Sequence, residues 1–111
     1  MNKRTKQLIF SSKTQMGILE RDGGCIFCKK HYHLESKDTF PYRTLEVMHI
    51  VNKSQGGLGV EQNGVTGCRY HHHLLDNGNK GLRSEMLSMI KEYMESLYPN
   101  WNTEDLTYKK Y

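Results

Sequence analysis

The chain has 111 residues, 36% of them hydrophobic, and its 16 lysines and arginines against 12 aspartates and glutamates leave a net charge of +4. That length allows one domain with short appendages and a thin core, which a metal staple would help, and the charge suits a polyanionic partner without specifying one. No run is apolar enough to cross a membrane or read as a signal peptide, and the three cysteines cannot all pair within one molecule, so the expected setting is a reducing cytoplasm in which clustered cysteines bind metal.

Lys3, Arg4 and Lys6 make a basic start, read as a frayed arm or, functionally, as a phosphate-contacting one. Ser12 with Gln15 three residues on fits a capping box, and Met16, Ile18 and Leu19 give the helix that follows an apolar side until Asp22-Gly23-Gly24 stops it. Cys25 and Cys28 come next. Two thiolates with two residues between them reach one metal from a tight knuckle, and no strand-helix-strand pattern supports the alternative of a redox pair. His31 and His33 lie close enough to compete as ligands but read as solvated loop residues, because a better second pair exists downstream. Residues 29–43 are polar and suggest a long loop or irregular hairpin.

Residues 44–51 alternate and are rich in β-branched side chains, which predicts a strand. A glycine-rich loop follows, then Val65 and Thr66 begin a return strand into a second knuckle, Cys68-x-x-His71, and His72 opens a short helix that Asn77-Gly78-Asn79 breaks. Beyond Gly81, Leu82, Met86, Met89, Ile90, Tyr93, Met94 and Leu97 recur at helical spacing, so the longest helix is expected here, ending before Pro99. Its methionines and tyrosine read as core, with a partner surface as the alternative. The tail from Trp101 to Tyr111 reads as a segment folded back by Trp101 or loose, and Tyr108-Lys109-Lys110-Tyr111 gives it a base-stacking alternative.

The two knuckles supply four zinc ligands, Cys25, Cys28, Cys68 and His71. A closed tetrahedral set leaves no position for water or substrate, so this zinc is expected to be structural. The long insertion between the knuckles must itself be structured, and it contains His49 and Asn63. Alone, His49 would read as a strand-end histidine satisfied by a backbone carbonyl, and Asn63, before Gly64, as a turn residue.

Taken together, the stretch from Glu46 to Asp76 resembles the HNH endonucleases of the ββα-metal type, over roughly residues 21–76. In that family a strand ends in an acid-His pair, a Gly-Gly loop and an Asn follow, then a zinc-binding pair with the last His directly after it. Here these positions hold His49, Gly56-Gly57, Asn63, Cys68 with His71, and His72. The resemblance implies one α+β domain spanning 1–111, with a zinc-stapled ββα-metal core, a helix before it, and a longer helix and tail after it over about 81–111. It also implies hydrolysis of DNA phosphodiester bonds, with His49 as general base, Asn63 bracing the loop and His72 binding a catalytic divalent ion such as Mg²⁺, Mn²⁺ or Ni²⁺.

Asp76, four residues on from His72, would share its helical face and add a carboxylate. His73, which follows His72 directly, reads as a phosphate or solvent contact. One position departs from the pattern: many family members carry a metal-binding Asp just before the first His, and this chain has Met48, a poor ligand for a hard ion. Glu46, two residues back on the same strand face, is the candidate replacement. Lys53, Arg69 and Arg43 would form a phosphate track. The resemblance further implies phage or foreign DNA processing in a bacterial host cytoplasm, beside terminase and packaging proteins. The alternatives are a zinc-stabilised nucleic-acid-binding module that no longer cuts, which Met48 favours, and a protein-interaction adaptor built on the long helix.

Overall fold

The computed structural model describes residues 3–34, 44–77 and 81–109, and all statements of structure concern these. In chain order they form α1 (Lys3–Leu8), α2 (Ser12–Asp22), α3 (Ile26–Lys29), β1 (Leu45–His49), β2 (Gly64–Cys68), α4 (Arg69–Asn77) and α5 (Arg83–Leu97), with short 3₁₀ turns at Lys53–Gln55, Glu61–Asn63 and Thr103–Leu106. This is a small α+β architecture, as expected from the sequence, and no helix is long and apolar enough to cross a membrane.

The basic start is helical, and α2 is capped one residue earlier than the capping box predicts. Ser11, in extended backbone, accepts the Thr14 N–H at 3.1 Å, while Gln15 reaches back to the Phe10 carbonyl. The cap turns α2 so that Ile18 is fully buried, whereas Met16 faces outward at 56% exposure instead of joining an apolar side. Gly23, at φ 63°, ends the helix in the left-handed conformation that glycine adopts without strain.

β1 and β2 pair antiparallel, with Glu46 opposite Gly67, Met48 opposite Val65 and His49 opposite Gly64. Strand alternation puts Met48 and Val65 on one face and His49 and Gly64 on the other. On the first face Met48, Val65, Ile50, Phe27, Met86, Ile90 and Met94 belong to one buried cluster. A side chain at Gly67 would collide with Met48, so the methionine depends on that glycine for its space. On the second face a Cβ at Gly64 would meet Ile18 and Phe10, which marks how closely α2 approaches the sheet. α5 commits Met86, Ile90 and Met94 to the core, in agreement with the helical spacing, and it ends at Tyr98, whose N–H bonds the Met94 carbonyl just before Pro99. α4 begins at Arg69, so His72 sits within its first turn instead of opening it. The expected irregular segment at 35–43 and the break at 78–80 lie outside the described residues.

The residue read as a helix stop is the centre of a buried polar network. Asp22 is fully buried; it accepts the Thr66 N–H at 2.7 Å and the Tyr93 hydroxyl at 2.6 Å, and it pairs with Arg21 at 2.7 Å. Arg21 in turn donates to the carbonyls of Glu61 and Gly64 and to the Tyr98 hydroxyl. Burial opposes the guanidinium's charge, but Asp22 and Tyr98 more than offset it and raise its pKa; burial and then the bond to Asp22 push Tyr93 up to about 12. One carboxylate thus ties α2 to β2 and α5. Substituting Asp22→Ala would strand the Thr66 amide, the tyrosine hydroxyl and the guanidinium together, and urea denaturation should show a loss of about 3–5 kcal/mol, as for a broken buried pair. A loss below about 1 kcal/mol would mean that water replaces the carboxylate at little cost.

Candidate metal centre and imidazole sites

Each zinc-candidate side chain is placed by a local element. Cys25 caps α3, its Sγ accepting the Cys28 N–H, so the two thiols flank one turn of helix. Cys68 ends β2 and His71 stands in the first turn of α4, which follows without a loop. These four are the group whose ligand atoms converge among the described residues, all lying within 4.8 Å of one another.

The spacings match a tetrahedral ion. Bonds of about 2.3 Å to sulfur and about 2.0–2.1 Å to nitrogen put sulfurs about 3.8 Å apart and sulfur and nitrogen about 3.6 Å apart. Cys28 and Cys68 are 3.8 Å apart, and His71 Nδ1 lies 3.6, 3.5 and 3.2 Å from Cys25, Cys28 and Cys68. The other ring nitrogen, Nε2, donates to the Tyr32 carbonyl at 2.6 Å, which leaves Nδ1 with its lone pair toward the thiols. Charge supports the same conclusion. Burial resists ionisation of Cys25, but the neighbouring His71 imidazole and the bonds from the Cys28 and Cys68 backbone bring that thiol down to about 6. Burial and its two neighbouring sulfurs push Cys28 up to about 12, and burial raises Cys68. Three thiolates this close repel one another, and a dication at their centre removes the repulsion. The donor set fits a structural zinc, as the sequence suggested. His31 and His33 are exposed and lie outside it.

The remaining candidates divide between the two faces of the sheet. On the Met48 face, Glu46 Oε1 lies 3.1 Å from His72 Nδ1, and Asp76 Oδ2 lies 3.0 Å from His72 Nε2. Arg69 approaches Glu46 at 3.6 Å and Arg83 approaches Asp76 at 4.0 Å. Glu46, His72 and Asp76 are therefore assembled, at 30%, 32% and 52% side-chain exposure, within reach of solvent. They are strung through the imidazole, one carboxylate on each nitrogen. A divalent ion bound to either nitrogen would displace that hydrogen bond and take the same carboxylate as a ligand. Met48, 1% exposed in the core, has no access to it.

His49 projects from the other face. Its Nε2 donates to the Leu8 carbonyl at 2.8 Å, and the Phe10 ring lies 4.2 Å from the imidazole. Half-burial, with the Lys53 charge adding to it, outweighs the Leu8 bond and lowers the His49 pKa below its ordinary value. The backbone carbonyl expected of an ordinary strand-end histidine is present, but it occupies one nitrogen only. Asn63 is fully buried, and its side-chain hydrogen bonds go to the loop and not to His49. Its Oδ1 accepts the Val51 N–H at 2.8 Å and its Nδ2 donates to the carbonyls of Val51 and Leu58. It closes the loop behind β1.

The sequence offered no sign of the Leu8 and Tyr32 carbonyls, because backbone acceptors carry no side-chain signature. Asp22 was visible, but only as a turn residue. The chain matches no protein-family model, and comparisons with curated proteins and with solved structures give no match.

Zinc and folding should be inseparable here, since a structural site contributes on the order of 10–16 kcal/mol. Cys68→Ser is expected to bind no zinc and to show no cooperative melting by circular dichroism; unchanged melting would rule out a structural role. Zinc release, followed with a metallochromic dye, should set in as the pH is lowered, because protons compete with the metal for Cys25, Cys28, Cys68 and His71. The sign follows from linkage: a thiol depressed from 9.0 to about 6 contributes stability above its unfolded value that is lost as pH falls through the folded one.

Proposed function

We propose that the protein is a metal-dependent DNA endonuclease of the HNH kind, hydrolysing phosphodiester bonds with His49 as general base. The observation that carries this reading is the fixed tautomer of His49. A carbonyl can only accept, so Nε2 carries the proton and the lone pair is on Nδ1, which has no hydrogen-bond partner among the described residues. The depressed pKa keeps this nitrogen unprotonated near neutral pH, the state in which it takes a proton from an attacking water. Phe10 and the Leu8 carbonyl hold the ring, and Asn63 anchors the loop that follows it.

His72, Asp76 and Glu46 are the residues that would hold the divalent ion, which when bound would stabilise charge on the scissile phosphate and leaving oxygen. Their placement agrees with the resemblance in one respect that the sequence left open. The family's acidic ligand directly precedes the base and so points to the opposite strand face; Glu46 occupies that face and already reaches His72. An ion on either ring nitrogen would be offered the imidazole and the carboxylate on that side, Glu46 at Nδ1 or Asp76 at Nε2, donors that suit Mn²⁺ or Ni²⁺ as well as Mg²⁺. The substrate would be phage or foreign DNA in a bacterial host, with packaging proteins as neighbours.

A second reading, a binding module that no longer cuts, is favoured by one observation: the position that carries the family's acid is a methionine sealed in the core at 1% exposure. The adaptor reading draws less support, because α5 spends Met86, Ile90 and Met94 on its own core.

Zinc-loaded protein should convert supercoiled plasmid to open-circular or linear DNA with Mg²⁺, Mn²⁺ or Ni²⁺ and not with chelator. His49→Ala should lower the rate about 10²–10⁴-fold while leaving melting unchanged. A base must be unprotonated to act, so the wild-type rate should rise with pH and level off below 6.5, a limb absent from the variant. DNA bound but uncut with every ion would establish the binding module instead. For the ion site, Glu46→Gln should weaken Mn²⁺ affinity in a calorimetric titration, and an unchanged affinity removes Glu46 from the ligand set.

A further inference from the structure

A groove of about 780 Å³ lies between the loop after β1, the first turns of α5 and the returning C-terminal segment. None of the residues assigned above to zinc, base or divalent ion lines it. Its wall includes the half-buried indole of Trp101, and three cations, Arg83, Lys91 and Lys109, face one carboxylate, Glu104. Trp101 is held in orientation by its Nε1–H bond to the Gln62 carbonyl at 2.8 Å. The far wall is equally fixed: the Leu58 N–H bonds the Leu106 carbonyl, and the Tyr108 N–H bonds the Gly56 carbonyl.

The groove adjoins the Glu46–His72–Asp76 side of the sheet: Ile50, which lines it, shares the Met48 face, and Arg83 reaches the Leu75 carbonyl at 3.0 Å and Asp76 at 4.0 Å. Cations alone would suit any polyanion, but an indole among them adds a face on which a base can stack, worth about 1–3 kcal/mol per base. We propose that this groove binds the DNA strand flanking the scissile phosphate, with a base on Trp101 and phosphates on Arg83, Lys91 and Lys109. The inference rests on the nuclease reading for its substrate but concerns residues outside the catalytic set.

Trp101 is the only tryptophan of the chain, so tryptophan emission comes from one position, which lines this groove. Zinc-loaded protein without a second ion would be titrated with a labelled 20-nucleotide oligothymidylate and with a duplex of the same length, reading anisotropy and tryptophan emission together. Saturable quenching that tracks the anisotropy is expected. The surface variant Lys91→Glu/Lys109→Glu should bind at least 10-fold more weakly, with the logarithmic salt slope reduced by about 1.4–1.8 for two lost phosphate contacts. DNA bound and nicked with Trp101 emission and variant affinity unchanged would overturn the groove and leave the nuclease standing. Binding and quenching without any cutting would support the groove while removing the nuclease. No binding at low salt, or equal quenching by polyglutamate, would overturn the groove.

Discussion

Three sulfurs and one imidazole nitrogen drawn into a tetrahedron are the constraint from which most of this structure follows. Cys28 and Cys68 stand 40 residues apart in sequence. Closing a loop of that length costs about 3 kcal/mol plus a constant, well below what a zinc site of this kind returns. Once closed, the site fixes the end of β2 and the start of α4, with the turn of α3 set against them. The register of β1 against β2 then determines which strand residues face α4 and which face α2.

That division by face gives the molecule its chemistry. Glu46 and Met48 share a face; one meets His72 and the other fills the core, because Met48 lies toward Val65 and Gly67 while Glu46 is nearer the helix. His49 passes to the opposite side, where Leu8 and Phe10 receive it. The proposed base and the prospective ion ligands thus stand on the two sides of a thin two-stranded ribbon. Arg21 and Asp22 reinforce the ribbon, bonding the Gly64 carbonyl and the Thr66 amide of β2. Such a buried charge network would be costly if any partner were missing, and here each strong donor has an acceptor.

The C-terminal third has two roles at once. α5 seals the Met48 face with Met86, Ile90 and Met94, while its flank, through Ser84, Leu87, Ser88 and Lys91, forms a wall of the groove that Trp101 lines. The tail that might have been loose is instead pinned to the glycine loop, with Gly57 bridging Thr107. Gly57 is obligatory there, since a Cβ would fall 1.7 Å from the Val51 carbonyl oxygen. Asn63 holds the same loop from the other side, so loop and tail form one supported unit.

The metal-binding cluster was legible in the sequence because cysteine and histidine at knuckle spacing have few other uses, and the chemistry of the donors does not depend on the rest of the fold. The long helix was legible through its period, and the strand pair through alternation. Local patterns could not reach the contacts made across the chain. The Ser11 cap, the burial of Asp22, the Leu8 carbonyl on His49 and the two carboxylates on His72 depend on which segments pack together. Sequence by itself determined which side chains could bind a metal or move a proton. Tertiary structure decided which of them meet, because a hydrogen bond or a tautomer is set by distance in space and leaves no mark on the order of residues along the chain.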